Sequence, residues 1–541
     1  MKVRLRNWRL LLLLCHRWMG IAFGMMFVVW VLSGVILLYF GLPHLHAGER
    51  LSRLPTLNAA EVNVSPADAV ARVDDGGAFR IRLSMHGDRP VYRINTGRVF
   101  GRWTLVYADN GERVEPLSAN EAVAWLSNYV PEAATSMSLI DEINGPDLFT
   151  HNPGIQNHMP MFRIALNDSA GTIYYVSAGS GEAVMKTDRM GRLLGLFGYQ
   201  MHTLFFFRQK TWWSTVLQVL AWSGLVIAIL GLTLGIQRFS LHARFRRRGK
   251  HYRTPYSGLL QWHHYAGLFF GVFLVTWTFS GLVSMSVIPG IVETLYSPAQ
   301  INAGARSVQG EGPRLQLAEI AGSDIRSAAE SFNTVFPISE IEIFSFAGEA
   351  YFLAYRKPGD TEVDEWVSRS AFDFIAPALN HEHRLLPAGG TRTEPLARLP
   401  EAVMDRAAGM AMPNANIVSS EWLDAFDNYY YERHTAFDLG LPQPARTLPV
   451  LKVVYDDPLG TWAYLSPAHG QLVKFETRDR ANRWGYYGLH SLDFSFLFPR
   501  PLWDIVMLTL LSGAAVLSMT PLWPMFRRLK RHARRVYSLL S

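Results

Sequence analysis

Four stretches of the chain, 19–40, 212–236, 265–288 and 502–523, are apolar over enough residues to cross a hydrocarbon core, which takes roughly 20 in a helix. Asp504 is their single charged residue. Between them the pattern changes period. Residues 119–129 and 317–332 repeat apolar positions every three to four residues, as amphipathic helices do, whereas 162–166 and 450–455 read as strands. Residues 299–313, rich in Gly and Ala, read as linker. The expected fold is an integral membrane protein: an all-α four-helix transmembrane bundle with two external α+β domains. In chain order this gives an N-terminal segment with the first span (1–40), an external domain (41–210), the second span (211–236) and a basic loop (237–263). The third span (264–289), a second external domain (290–500), the fourth span (501–523) and a basic tail (524–541) follow. The first span exceeds the roughly 7 to 15 apolar residues of a signal peptide, which predicts that it is retained.

Charge then sets the orientation. The 541 residues carry 52 Lys and Arg against 45 Asp and Glu, with a pI near 9.3, a balance that on its own would suit a nucleic-acid binder. Its distribution excludes that reading. Segments 1–18, 237–262 and 524–541 hold five, seven and six basic residues and no acidic one, so the rest of the chain is net acidic. Short loops rich in Lys and Arg stay cytoplasmic, which places both termini and the middle loop inside and the large domains outside. The expected partner of the basic surface is the bilayer, not nucleic acid. Cys15 is the only cysteine, so no disulfide within the chain supports the outer domains.

The two halves of the sequence repeat each other. H-R-W-M-G-I-A-F-G from His16 matches H-H-Y-A-G-L-F-F-G from His263 without a gap, and at the same offset Trp30 meets Trp277, Ser33 meets Ser280 and Gly34 meets Gly281. Y-Q-M-H-T-L-F-F from Tyr199 resembles Y-G-L-H-S-L-D-F from Tyr487, which pairs His202 with His490. Upstream of these, Y-V-S-A-G-S-G-E-A-V from Tyr175 parallels Y-L-S-P-A-H-G-Q-L-V from Tyr464, each a strand, a Gly turn and a strand. The pattern predicts a duplicated unit of span, domain, span. There is no Gly-rich nucleotide fingerprint, no paired-cysteine metal motif and no Gly-x-Ser-x-Gly elbow.

Ionisable residues at the ends of membrane spans are costly and point to function. A lone interfacial His is adequately explained by a headgroup or a loop carbonyl, but a twofold repeat brings His16 opposite His263 near the inner face and pairs His202 with His490 near the outer one. Two imidazoles facing each other across a helical bundle are a way to hold a haem iron from both sides. His264, His44 and His46 are alternative ligands. Gly20 and Gly24 lie four and eight residues after His16, and Gly267 and Gly271 repeat this after His263, so each pair shares the face of its His. Such a stripe admits a flat macrocycle, or equally a closely packed helix. Trp18, Phe23, Phe27, Trp30, Phe270 and Trp277 could wall a haem or form an aromatic belt. His381 and His383 alternate along a strand, His151, His158 and His434 are isolated, and the cluster Tyr429, Tyr430, Tyr431, Arg433 and His434 suits either an anionic chelate or a half-buried strand.

Taken together, H-R-W-M-G, Ser33-Gly34, Y-V-S-A-G-S-G-E-A-V and M-H-T-L-F-F, with their second-half copies, resemble the PepSY-associated transmembrane proteins over nearly the whole chain. The resemblance implies PepSY-like external domains in the periplasm, a place in the inner membrane of a Gram-negative bacterium, and kinship with b-haem ferrisiderophore reductases of iron uptake. It carries His16, His202, His263 and His490 over as axial ligands of haem b, two haems in all. The function it implies is electron transfer from an unknown donor, a quinol or a cytoplasmic reductase, to a periplasmic ferric siderophore or other ferric chelate. The alternative is a non-enzymatic sensor, regulator or assembly factor for a periplasmic partner, since PepSY modules also occur as peptidase regulators. A transporter is disfavoured because the halves share one orientation and no span is broken near its middle by Pro or charge.

Overall fold

Helix-forming residues carry the first span well beyond its apolar stretch. Leu and Arg dominate 2–14 and no Gly or Pro intervenes before Gly20, so a single helix runs Lys2–Leu37. At 1.5 Å per residue it is about 54 Å long, more than the roughly 30 Å of hydrocarbon. The computed structural model describes residues 2–73, 80–96, 102–151, 153–208, 210–247, 249–285, 320–359, 382–388, 393–431, 446–499 and 501–540, with Ala78, Val308 and Leu317. The expected linker 299–313, apart from Val308, and also His381, Arg433 and His434, lie outside the described residues.

The chain divides into two units. One consists of 1–39, 196–296 and 478–541, the other of 40–195 and 297–477. The first holds four helices long and apolar enough to span a membrane: span 1, then Trp213–Arg238, Leu259–Ser284 and Leu502–Met519 as spans 2 to 4. Their shared core includes Phe27, Val31, Ile227, Leu274, Trp503, Met507, Leu511 and Leu517. Asp504, the charge within an apolar stretch, accepts a hydrogen bond from Tyr39 Oη at 3.0 Å. Span 4 stops at Met519 rather than at 523. Pro521 cannot continue it, and a separate helix, Leu522–Leu540, holds the basic tail.

In chain order the strands are β1 (Arg80–His86), β2 (Arg89–Asn95), β3 (Trp103–Tyr107), β4 (Arg113–Val114), β5 (Ser138–Ile143), β6 (Met161–Ala165), β7 (Ile173–Ser177) and β8 (Ala183–Thr187). Between spans 2 and 3, β9 (Phe245–Arg247) and β10 (Lys250–Tyr252) form a hairpin. Then come β11 (Ile338–Phe346), β12 (Glu349–Arg356), β13 (His383–Pro387), β14 (Ile417–Leu423), β15 (Val450–Tyr455), β16 (Trp462–Ser466) and β17 (Gln471–Phe475).

The second unit is α+β. Its largest sheet has the order β13-β12-β11-β1-β2-β3-β4, and the antiparallel β1–β11 pair joins the stretches 41–210 and 290–500, with Leu83 opposite Ile341. The two stretches, expected as one domain each, therefore share a sheet. Apolar positions of β1 and β11, such as Ile81, Leu83, Ile341 and Ile343, pack with the helix Gly322–Asn333 through Ile325 and Phe332, while Arg82 and Glu340 are buried among charged partners.

Two smaller four-stranded sheets, β5-β6-β7-β8 and β14-β15-β16-β17, are each preceded by a helix, Ala119–Tyr129 and Glu401–Ala411. The first is capped as its Ser-x-x-Glu sequence dictates: Ser118 Oγ accepts from Glu121 N, and Glu121 Oε2 accepts from Ser118 N at 2.8 Å. Each sheet closes on the predicted strand, turn, strand motif. The turn glycines Gly181 and Gly470 have φ of +59° and +60°, a backbone region that costs a side-chain-bearing residue about 1–2 kcal/mol. A Cβ at Gly470 would also overlap the Phe344 ring.

Candidate functional site

The bundle brings the four repeated histidines together in two pairs. The ring centres of His16 and His263 are 6.3 Å apart, and those of His202 and His490 are also 6.3 Å apart. The planes meet at 34° in the first pair and at 86° in the second.

In each pair, Nδ1 is held. His16 Nδ1 donates to the Ile227 carbonyl of span 2 at 3.1 Å, and His263 Nδ1 to the Leu517 carbonyl of span 4 at 2.9 Å. A carbonyl can only accept, so the proton sits on Nδ1 and the lone pair on Nε2. Gly231 makes room for the first of these rings, since a Cβ there would lie 2.7 Å from His16 Cε1. The other pair uses hydroxyls. Ser33 Oγ lies 3.0 Å from His202 Nδ1, and Ser280 Oγ lies 3.0 Å from His490 Nδ1. Each hydroxyl spends its own proton on a carbonyl one turn back, Val29 or Trp277, and so accepts from Nδ1.

The approach of His202 and His490 explains how residues outside the apolar stretches reach the bundle. Leu196–Gln200 and Trp484–Gly488 each form a π-helical turn that runs into a single helical turn holding the His. Two residues on, Leu204 and Leu492 adopt φ of 49° and 50°. Left-handed leucines are costly, so the same deviation at matched positions marks a constrained turn. Trp30 Nε1 donates to the His202 carbonyl at 3.0 Å, Trp213 Nε1 to the Thr203 carbonyl at 3.1 Å, and Trp503 Nε1 to the Ser491 carbonyl at 2.8 Å. Arg483 ties the second turn down through the Asp493 carbonyl at 2.6 Å. His16 and Ser33 lie on one helix, and at 1.5 Å per residue their spacing in sequence separates the two pairs by about 25 Å.

These residues fit a haem held from both faces. Metal–imidazole bonds of about 2 Å, with about 1 Å more to each ring centre, place two axial imidazoles about 6 Å apart, and both pairs stand at that distance. A partner on the second ring nitrogen is the usual way a ligating His is oriented. The glycine stripe separates the two readings given to it. A Cβ on Gly20 or Gly24 would meet no atom within 4 Å, so these glycines do not seat a neighbouring helix; Gly267 and Gly271 make ordinary contacts with Leu517 and Leu232. Trp277 Nε1 is buried and has no hydrogen-bond partner among the described residues, which leaves a donor for a bound group.

The alternative ligands are engaged elsewhere. His264 Nε2 donates to the Gly235 carbonyl at 2.9 Å, and its ring lies among Phe239, Tyr256 and Tyr265. His44 and His46 pack on each other in the second unit, with ring centres 4.4 Å apart. His383 stacks on His469, and His158 is buried, stacked on Trp103 and bonded to Ser180 Oγ at 3.1 Å. Tyr430 is buried against Tyr464. Among the expected aromatic walls, Phe270 lies on Gly513, and Trp18 meets His532. Among the described residues no three or more His, Cys, Asp or Glu side chains converge as metal ligands.

Ser33 and Ser280 repeat at the offset of His16 and His263, and that repetition is their trace in the sequence; nothing in it links them to His202 and His490, the rings they hold. No curated protein and no solved structure matches the chain. A family model described as PepSY-associated TM region matches residues 13–523, nearly all of the chain, and with four membrane-crossing helices beside an α+β unit the protein belongs to that family of multi-pass membrane proteins.

Proposed function

We propose that the protein is a duplicated dihaem b-type electron-transfer protein of a bacterial inner membrane, with cytoplasmic termini and periplasmic PepSY-like domains, that reduces a ferric siderophore or other ferric chelate during iron uptake. The observation that carries this reading is the recurrence of one arrangement at both ends of the bundle: two histidines 6.3 Å apart, each held through Nδ1. His16 and His263 hold the inner haem, and His202 and His490 the outer one. Bound there, haem supplies one-electron transfer, and the axial ligands and burial tune its potential. The protein's own contribution is orientation. Ile227, Leu517, Ser33 and Ser280 fix the tautomers, the apolar bundle excludes water, and the basic inner segments fix the topology.

The test is the visible spectrum of the detergent-purified protein before and after dithionite. Expressed with ample haem, it is expected to be red and to develop the sharp reduced bands of six-coordinate b haem. A colourless preparation would refute the reading. Replacing Gly20 with Leu adds a further check. No atom lies within 4 Å of a Cβ at that position, so the substitution should leave the unfolding free energy of the haem-free protein within about 0.5 kcal/mol of wild type while lowering haem occupancy at the His16 pair. Unchanged haem content would show that the open face is not used.

A further inference from the structure

Along the seam between spans 3 and 4 lies an apolar groove of about 630 Å³, within the range of small-molecule sites. Trp262, Tyr265 and Phe270 of span 3 and Thr509, Ser512 and Gly513 of span 4 line it. The Phe270 ring occupies the space a Cβ at Gly513 would need, so that glycine is what lets an aromatic surface form the floor. The groove shares its seam with the inner histidine pair: His263 Nδ1 donates across it to the carbonyl of Leu517, the neighbour of the groove residue Val516.

Four residues with polar atoms, Trp262, Tyr265, Thr509 and Ser512, interrupt an otherwise apolar wall. Thr509 and Ser512 are exposed on span 4, yet neither hydroxyl makes a hydrogen bond among the described residues, whereas Ser518 on the same helix bonds the carbonyl one turn back at 2.7 Å. Tyr265 Oη and Trp262 Nε1 also have no hydrogen-bond partner among the described residues. In hydrocarbon an unpartnered polar group is costly. An acyl chain offers these groups nothing. A ring carrying two oxygens and an apolar tail satisfies both the hydroxyls and the aromatic floor.

We propose that this groove is the binding site of an isoprenoid quinol, the electron donor of the protein. The assignment of the ligand rests on the electron-transfer reading above. The balance is simple: one quinol loses two electrons and two protons as its O–H bonds break and two C=O bonds form, and two Fe(III) chelates each gain one electron.

The full-length protein in detergent is titrated with decylubiquinone, and quenching of tryptophan fluorescence is followed against a Trp262→Phe variant to isolate Trp262 among the 16 tryptophans. Saturable quenching assigned to Trp262 is expected. Thr509→Val with Ser512→Ala should weaken it about tenfold or more, as loss of two hydrogen bonds predicts. Gly513→Leu, which displaces Phe270 into the groove, should abolish it, and the haem spectrum of every variant should stay as in wild type. Linear, unsaturable quenching that is equal in all variants would overturn the proposal, as would equal displacement by phosphatidylglycerol, which would make the groove a lipid crevice. A colourless protein that still binds decylubiquinone saturably would sink the electron-transfer reading and leave the site standing.

Discussion

Replacing Glu182 with Gln is expected to unfold the α+β unit, lowering its stability by about 3–5 kcal/mol, the usual result of removing one partner from a buried ion pair. Glu182 lies 2.5 Å from Arg82, 3.3 Å from Arg50 and 3.8 Å from Arg93, and Glu340 lies 2.9 Å from Arg50 and 3.0 Å from Arg82. All five are buried. Three guanidinium groups thus already outnumber two carboxylates, and burial lowers the pKa of Arg93 to about 10. Removing Glu182 leaves three buried cations against one anion, a large loss for a unit whose whole stability is about 5–15 kcal/mol. Thermal denaturation and limited proteolysis of the purified variant should show early loss of the α+β unit while the helical signal of the spans persists. A variant as stable as wild type would mean that the cluster is well solvated. The pH dependence runs the same way. Desolvation favours the neutral acid at Glu182, but Arg82, Arg93 and Arg50 outweigh it and hold its pKa below the usual range, so its contribution is lost as pH falls through the acidic range. Burial lowers His158 to about 3, so its neutral form is favoured in the fold and stability declines as pH drops below about 6.5.

This cluster was not legible in the sequence, and the reason is physical. Arg50, Arg82, Glu182 and Glu340 come from a short helix, β1, a turn and β11, and nothing in local periodicity says that β1 pairs with β11. Long-range pairing also explains why two stretches expected as one domain each form a common sheet. What could be read was local or repeated. Apolar runs located all four spans, the second and third to within about six residues, whereas the first helix begins at Lys2, far ahead of its apolar run, and Pro521 ends the fourth early. The helix 119–129 and the strand 450–455 coincide with the structure, whereas the helix expected over 317–332 begins only at Gly322, where Asp324 caps the backbone of Ala321. The four histidines stood out because they repeat. Their approach did not, since π turns and left-handed leucines leave no periodic trace and the hydroxyls that hold His202 and His490 lie on other spans.

Replacing His16 with Ala is expected to halve the haem content, removing the inner b haem and leaving the outer one with its reduced band intact; His490→Ala should do the converse. The independence follows from the geometry. The pairs are separated by about 25 Å along span 1, and each is oriented by its own partners, Ile227 and Leu517 in one case and Ser33 and Ser280 in the other. Pyridine haemochrome quantification with the low-temperature reduced spectrum reads both outcomes. Ser280→Ala separates ligation from orientation. It removes the acceptor of the His490 Nδ1 proton but neither axial nitrogen, so the outer haem should be retained at about 10- to 100-fold lower affinity. Its potential should rise, because an imidazole without that hydrogen bond is a weaker donor to iron. A redox titration of wild type and Ser280→Ala decides this. Loss of both bands in His16→Ala, or of neither, would refute the pairing, and an unshifted outer potential in Ser280→Ala would reduce the serine contact to packing.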